Sequence, residues 1–332
     1  MIPTISVVLP VYNEQENLNA LLTRLIPVLE RIAGESFEVL FVDDGSHDGS
    51  AEILDAFSSR DQRLKVVHFS RNFGHQAALQ AGLDLARGEA VILLDADLQD
   101  PPEVLERFVA RWRQGFDVVY AVRKKRKESP LKRAAYALFY RTMRTIAEIE
   151  VPIDAGDFCL LDRRVVDVLA SLPERNRFLR GLRSWIGFKQ VGVEYNRDAR
   201  QGGVPKYTLR KLVLLALAGY IGFSAFPLRA AAGLGLLSAG AGFALALWAL
   251  LTKLMNIPSP QGWASTISVN LFVGGIQLLM LGVIGEYLSR VYDEVRQRPL
   301  YIVRGCVGFA IDLPAARDGT TNRRVNRRED ML

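Results

Sequence analysis

Asp95, Asp97 and Gln99 stand two residues apart behind the apolar run Val91-Ile92-Leu93-Leu94, and a further acid, Asp100, precedes Pro101 and Pro102. Carboxylates so close together repel one another unless a cation holds them. An extended backbone sends residues 95, 97 and 99 to one side. Their hard oxygen ligands suit Mg²⁺ or Mn²⁺, which bind through one or two carboxylates plus the phosphates of a substrate. Asp100 reads instead as the cap of a helix opened by Pro101-Pro102-Glu103. Two other stretches carry polar residues directly behind an apolar run: Pro10-Val11-Tyr12-Asn13-Glu14, and Asp43-Asp44-Gly45-Ser46-His47-Asp48-Gly49-Ser50. The second also reads as plain turn chemistry. Neither a Walker loop (GxxxxGK[ST]) nor a GxSxG elbow occurs, and His47, His68 and His75 lack metal-ligand spacing. Cys159 and Cys306, far apart, read as reduced thiols.

Something must bring these stretches together. Ile5–Val11, Phe37–Val42, Leu64–Phe69, Ala90–Leu94 and Val118–Val122 are short, nearly continuous apolar runs, the pattern of strands buried on both faces of a parallel sheet. Helical patterns lie between them. Asn13-Glu14-Gln15-Glu16 reads as a cap with Glu at the third position, ahead of Leu18, Leu21, Leu22 and Leu25. The alternation predicts a Rossmann-like α/β domain over residues 1–205 with a mostly parallel sheet. Ligands of such sheets bind beyond the carboxyl ends of the strands, where all three polar stretches fall.

The chain has 332 residues and a net charge of +6, with a mean hydropathy of +0.11. A basic chain that is also apolar points to a membrane surface, and no nucleic-acid-binding motif is present. Residues Ala230–Leu251 and Leu254–Gly285 contain no charged side chain. Both exceed the ~20 residues that span a bilayer, which predicts a hairpin over 229–289 with spans near 230–251 and 264–285. Lys206, Arg210, Lys211 and Arg229 precede it, Arg290, Arg296, Arg298 and Arg304 follow it, and Lys253 alone lies between. The positive-inside rule then sets both ends in the cytoplasm, in an inner-membrane protein with no secretory signal. Residues 206–228 read as interfacial helices, and Leu131–Ile149 as either an interfacial or a core-facing amphipathic helix. Residues 290–310 read as a cytoplasmic segment in which Leu300–Val303 forms a strand able to pair with a neighbouring subunit. Residues 311–332 read as a disordered tail.

PVYNE (10–14), VDDGSHDGS (42–50), SRNFGHQAALQAG (70–82) and LDADLQDPPE (94–103), in this order, resemble the family-two glycosyltransferases of the GT-A fold. With Gly156–Arg164 and Gly285-Glu286-Tyr287-Leu288-Ser289-Arg290, the chain looks most like the polyisoprenyl-phosphate glycosyltransferases, and within them the bactoprenol glucosyltransferases. The resemblance runs from residue 4 to about 304. It implies that Pro10, Tyr12, Glu14, Asp43, Asp44, Asp95 and Ala96 hold a nucleotide sugar, and that Asp97 with Asp95 and Gln99 ligates Mg²⁺ or Mn²⁺. It implies Asp157 as a catalytic residue, either a base or a group orienting a sugar hydroxyl or an arginine. Arg123, Arg126, Arg197, Arg200 and Lys206 are then candidates for the lipid phosphate, although Arg123 and Arg126 read equally well as surface charge. Where members carry Gly-x-Ser-Lys-Tyr this chain has Pro205, which offers neither hydroxyl nor amide proton.

The implied reaction is transfer of a hexose, glucose first, from a UDP-sugar to undecaprenyl phosphate with inversion. Transfer of mannose from GDP-mannose, or of aminoarabinose, are alternatives within the same lipid class. The implied partners are the nucleotide sugar, the lipid, the membrane and further copies of the chain, a tetramer among the options. A transporter or channel with a nucleotide-sensing domain fits less well, because neither run carries a charge in its centre. A processive polysaccharide synthase needs Gln-x-x-Arg-Trp, where this chain has Leu182-Arg183-Ser184-Trp185.

Overall fold

A computed structural model of the chain describes residues 3–123, 155–172, 174, 178–196, 226–255 and 262–309. These fall into two compact units, one built on a sheet and one consisting of two long helices.

The first unit alternates strand and helix as the apolar runs require. β1 (Ile5–Val11), α1 (Leu18–Ala33), β2 (Phe37–Asp43), α2 (Ser50–Arg60), β3 (Leu64–Phe69), α3 (His75–Leu85), β4 (Ala90–Leu93), α4 (Leu105–Arg113) and β5 (Val118–Arg123) follow in order. β6 (Ala155–Asp162), α5 (Arg163–Ser171), α6 (Leu179–Trp185) and β7 (Gln190–Tyr195) complete the series before the long helices, and β8 (Val303–Val307) follows them. The sheet order is β7-β5-β6-β4-β1-β2-β3-β8. β3-β2-β1-β4 is a parallel half, with Val7 opposite both Val39 and Ile92. β6 runs antiparallel between β4 and β5, and β7 lies parallel to β5.

Every residue of β1, β2 and β4 is buried, because helices cover both faces. Ile5, Val7, Leu9 and Val11 pack on Leu18, Leu21, Leu25 and Leu29 of α1 and Phe108 of α4. On the other face Val8 and Leu40 meet Leu79 and Leu83 of α3, and Val91 and Leu93 join Val165 and Leu169 of α5 and Leu182 of α6. At ~25 cal/mol per Å² of apolar surface, this two-sided burial is the main force holding the strand ends in register.

Several expectations need correction. Asn13 does not cap α1: its φ is +54°, Asn17 holds the cap position, and Asn13 Oδ1 accepts the His47 amide at 2.8 Å. A short polar side chain tolerates this left-handed turn, and the result ties the first polar loop to the second. Asp100 is buried and accepts the Tyr195 hydroxyl, and the 3₁₀ turn Pro102–Val104 starts from Pro101 without a side-chain cap. The strand predicted at Leu300–Val303 lies at Val303–Val307 and pairs antiparallel with β3 of the same chain, which removes the reason to assign it to a subunit contact. Both cysteines are free thiols, as expected.

In the second unit, α7 (Phe226–Leu254) and α8 (Trp263–Arg296) touch one another: a Cβ on Gly235 would lie 3.6 Å from the Met280 Sδ. Leu236, Phe243, Phe272 and Leu278 are exposed on them. By length and composition Phe272–Arg296 can cross a membrane, and the apolar stretch Ala231–Ala244 of α7 is shorter. Of the two expected spans, one therefore meets the length and hydropathy requirement among the described residues. The amphipathic stretch 131–149, residues 206–225 and the tail 311–332 lie outside the described residues.

Candidate active site

β1 is flanked by β2 and β4, so its carboxyl end is where helices and loops diverge to either side, the usual ligand crevice of such a sheet. The loops at this end are laced together by side chains. Asn13 N donates to Ser46 Oγ at 3.1 Å, Glu14 N to Ser50 Oγ at 3.0 Å, and Gly49 N to Gln15 Oε1 at 2.8 Å. Gly45 has φ +69°, and a Cβ there would sit 2.6 Å from the Arg71 carbonyl carbon, so only glycine lets the second and third loops approach.

The expected nucleotide-binding residues separate into two kinds. Pro10 ends in β1, Tyr12 and Glu14 follow at the crevice, and Asp95 and Ala96 follow β4. Asp43 and Asp44 are instead buried and bonded within the protein. Asp43 accepts the Ser46 amide at 2.9 Å and meets His68 Nδ1 at 2.9 Å. Burial opposes its ionisation, but these bonds outweigh that and hold it below the ordinary carboxylate range. His68 in turn meets Asp55 at 2.9 Å through Nε2, and its pKa is raised: the Asp43 bond raises it most, burial opposes, and Asp55 adds to the rise. Asp44 takes the Phe73 amide at 2.6 Å and the Gly74 amide at 2.9 Å, one on each oxygen. It clamps the loop that leads into α3.

The acidic stretch behind β4 is not extended. β4 ends at Leu93, Leu98 has φ +59°, and Asp97 Oδ1 accepts the Gln99 amide at 3.1 Å. The alternation that would align Gln99 with the two acids is therefore broken by a turn. Asp95 is partly exposed, and its pKa is pushed up to about 6, first by burial and then by Asp157, Asp100 and Asp97, against the opposing charge of His75. Three neighbouring carboxylates oppose the charge on Asp95 and His75 alone favours it, and the donors at Asp95 and Asp97 are hard oxygens. The pair therefore fits a divalent Mg²⁺ or Mn²⁺ shared with a diphosphate. Among the described residues no three His, Cys, Asp or Glu side chains form a closed metal cage.

Asp157, from β6, lies across from Asp95. Arg180 Nε and Nη2 of α6 donate to its two oxygens at 2.8 and 2.9 Å, and Gln76 Nε2 reaches Oδ2 at 3.4 Å. Burial opposes its charge, but His75 and Arg180 prevail and hold it far below the carboxylate range. His75, the first residue of α3, sets its Nε2 3.6 Å from both Asp95 Oδ1 and Asp157 Oδ2. Burial lowers its pKa, but Asp157 and Asp95 outweigh that and raise it. His75, Gln76 and Arg180 are the site residues that spacing did not assign. The only signal was the run Ser70–Gly82, which carried the resemblance without a role for its histidine. Arg123, at the end of β5, donates to the Tyr195 hydroxyl at 3.4 Å, linking it to Asp100. Arg126, Arg197, Arg200 and Lys206 lie outside the described residues.

Comparisons with known proteins identify the family. Residues 6–169 match glycosyl transferase family 2, and residues 226–291 match the GtrB C-terminal hairpin. The uncharacterized glycosyltransferase YkcC of Bacillus subtilis is 48% identical over 305 residues, covering 92% of this chain and 94% of that protein. The SfII prophage-derived bactoprenol glucosyl transferase of Shigella flexneri is 39% identical over 301 residues, 90% of this chain and 97% of that one. Among solved structures, glucosyl-3-phosphoglycerate synthase from Mycobacterium tuberculosis, in complex with Mn²⁺, UDP and glucosyl-3-phosphoglycerate, aligns with a TM-score of 0.45. It is 19% identical over 67% of this chain and 81% of that one. With two motif-bearing regions matched and near full-length relatives at this identity, the chain belongs to glycosyl transferase family 2, among the members that carry the GtrB C-terminal hairpin.

Proposed function

We propose that this chain is an inverting polyprenyl-phosphate glycosyltransferase that moves a hexose, glucose first among the candidates, from a UDP-sugar to undecaprenyl phosphate. It acts at the cytoplasmic face of the membrane, to which a two-helix hairpin holds it. The observation that carries the reading is the acid-rich crevice of Asp95, Asp97 and Asp157 at the β1–β4 strand ends, in a chain whose relatives over 90% of its length include bactoprenol glucosyl transferases. Charge-free runs flanked by basic residues support the hairpin and its orientation.

The crevice beside Pro10, Tyr12 and Glu14 would take the base and ribose, with Asp43 supporting that wall and Asp44 holding the adjacent loop. Asp95 and Asp97 would hold Mg²⁺ or Mn²⁺, Gln99 being a further ligand if its turn reorganises. The ion supplies Lewis-acid neutralisation of the departing diphosphate. The acceptor needs little help to become a nucleophile, since the second pKa of a phosphate monoester is ~6. An acceptor oxygen attacks the anomeric carbon, the bond to the diphosphate oxygen breaks, and UDP leaves with the electron pair. In-line attack gives a β-linked product from an α-linked donor.

The test is transfer of radiolabel from UDP- and GDP-sugars into organic-extractable lipid, with and without Mg²⁺. Label in lipid from one donor, dependent on the ion and absent in Asp97→Asn, is the expected outcome. No label in lipid with any donor overturns the reading, and an α-linked product by NMR overturns inversion.

A further inference from the structure

The acidic loop behind β4 has an inner side as well as a face toward the crevice. Ala96, Leu98 and Asp100 are buried, whereas Asp95 and Asp97 stay partly exposed. Ala96 and Leu98 join the core beside Phe108, Phe158 and Tyr195, where apolar contact is enough. Asp100 is different, because a carboxylate cut off from water must be met by donors. Tyr195, the last residue of β7, supplies one: its hydroxyl donates to Asp100 Oδ1.

The tyrosine is itself held. Its ring meets that of Phe158 edge to face with centroids 5.8 Å apart, and Phe158 lies 4.7 Å from Phe108. Its backbone stands opposite Arg123 in the parallel pairing of β7 with β5, and Arg123 Nε donates to the tyrosine hydroxyl at 3.4 Å. The donors point one way, guanidinium to hydroxyl to carboxylate, so each bond polarises the next. One hydroxyl thus joins the loop after β4 to the ends of β5 and β7.

Asp100 lies only three residues from Asp97, and the backbone between them is strained. Leu98 takes φ +59°, which a bulky apolar residue adopts only where its surroundings compel it. Asp97 Oδ1 accepts the Gln99 amide inside this turn, so the direction of the Asp97 carboxylate follows the turn. Packing of Leu98 resists its withdrawal but tolerates sliding, whereas a buried hydrogen bond to Asp100 fixes direction and distance as well. Without that bond the turn relaxes toward an unstrained backbone and carries Asp97 with it.

We propose that Tyr195 is a positioning residue for sugar transfer: its hydroxyl, acting through Asp100, locks the left-handed turn that aims Asp97. This rests on the glycosyltransferase reading above, in which Asp97 holds a divalent ion beside the diphosphate. Tyr195 touches neither the ion nor the sugar, and no proton passes through it.

Full-length protein in detergent tests this by Mn²⁺ binding in the presence of UDP, read from the EPR signal of the free ion well below the melting temperature. Tyr195→Phe keeps the ring on Phe158 and removes the hydroxyl. It should weaken Mn²⁺ binding by about 10-fold, the low end for losing a group that orients a metal ligand. Asp100→Asn leaves an oxygen for the hydroxyl, so it should weaken the ion by a smaller factor, and it decides the matter if Tyr195→Phe does not fold. The double variant should be no worse than Tyr195→Phe, because the two residues act as one unit. Transfer of label from UDP-glucose to lipid should fall in Tyr195→Phe at low Mn²⁺ and largely recover at saturating Mn²⁺, which a loss of stability alone would not produce. Trp112→Phe is the control. It removes a side-chain bond to Asp162, which pairs with the first residue of β4 at the end of the strand away from the acidic loop, and it should bind Mn²⁺ as the wild type does. The inference is overturned if Tyr195→Phe and Asp100→Asn bind the ion like the wild type, or if Trp112→Phe weakens it as much as they do. Wild-type protein that binds no Mn²⁺ with UDP and labels no lipid overturns the functional reading itself, and the inference with it.

Discussion

Asp95→Asn should make the metal-free protein more stable while destroying its ion-dependent chemistry. The folded protein holds the Asp95 proton up to about pH 6, whereas an aspartate in an unfolded chain releases it near pH 3.9. Between those values the folded state binds more protons, so this group's contribution to stability falls as pH rises through about 4 to 6, and the loss is complete by pH 7. A displacement of about two pKa units corresponds to roughly 3 kcal/mol. The side chain is 32% exposed, however, and solvent screening brings the figure to about 1–2 kcal/mol. Asparagine keeps the shape and removes the charge. In a unit of this size each kcal/mol moves Tm by about 2–4 °C, so Asp95→Asn should melt roughly 2–8 °C higher at pH 7.5 in EDTA. The gain should shrink to about a third at pH 4.5, where the folded wild-type side chain is mostly protonated. Adding Mn²⁺ with UDP should then stabilise the wild type and leave the variant unmoved. Differential scanning fluorimetry in detergent reads all three arms. A variant that melts at or below the wild type at pH 7.5 in EDTA would refute the argument that Asp95 is held in an unfavourable charge state.

Three further outcomes follow from the packing. His68→Gln should cost about 2–4 kcal/mol in denaturant titration, since it removes a buried link between Asp43 and Asp55. Because the folded pKa of His68 is raised, its stabilisation is full below pH 6.5 and is lost as pH rises through the folded value, so the variant should show a flatter pH dependence there. Tyr195→Phe should cost about 1–3 kcal/mol by withdrawing a donor from the buried Asp100 carboxylate, measured as a shift in midpoint with unchanged slope. Gly82→Ala should cost about 3 kcal/mol or more, since a Cβ there would lie 2.0 Å from Val8 Cγ1, and Val8→Ala in the same chain should recover part of the loss.

The parallel half of the sheet was legible because its strands are buried on both faces and so read as unbroken apolar runs, with β1 and β3 matching to the residue. β7 was not legible: it is an edge strand whose burial alternates only at its end, and Gln190-Val191-Gly192 looks like a loop. Asp95 and Asp97 stood out as candidates from their chemistry, but Gln99 was grouped with them by a period-two rule that fails once Leu98 takes a left-handed turn. His75 and Arg180 could not be found from local spacing. Their place beside Asp95 and Asp157 arises only when Asp44 clamps the loop before α3 and Gln76 joins α3 to α6, bringing together positions 75, 95, 157 and 180. Asp100 shows the same limit, since its partner is ninety-five residues away.

β8 is the last strand among the described residues yet forms the outer strand beside β3, while α7 and α8 are made before it. A nascent chain therefore carries an open edge on β3 throughout synthesis of the two apolar helices, and such an edge is a template for wrong pairing. Tyr301, stacked on Phe69 with ring centroids 5.0 Å apart and bonded to Asp84 at 2.9 Å, closes that edge together with β8. The order of synthesis thus makes the sheet's completion a late event.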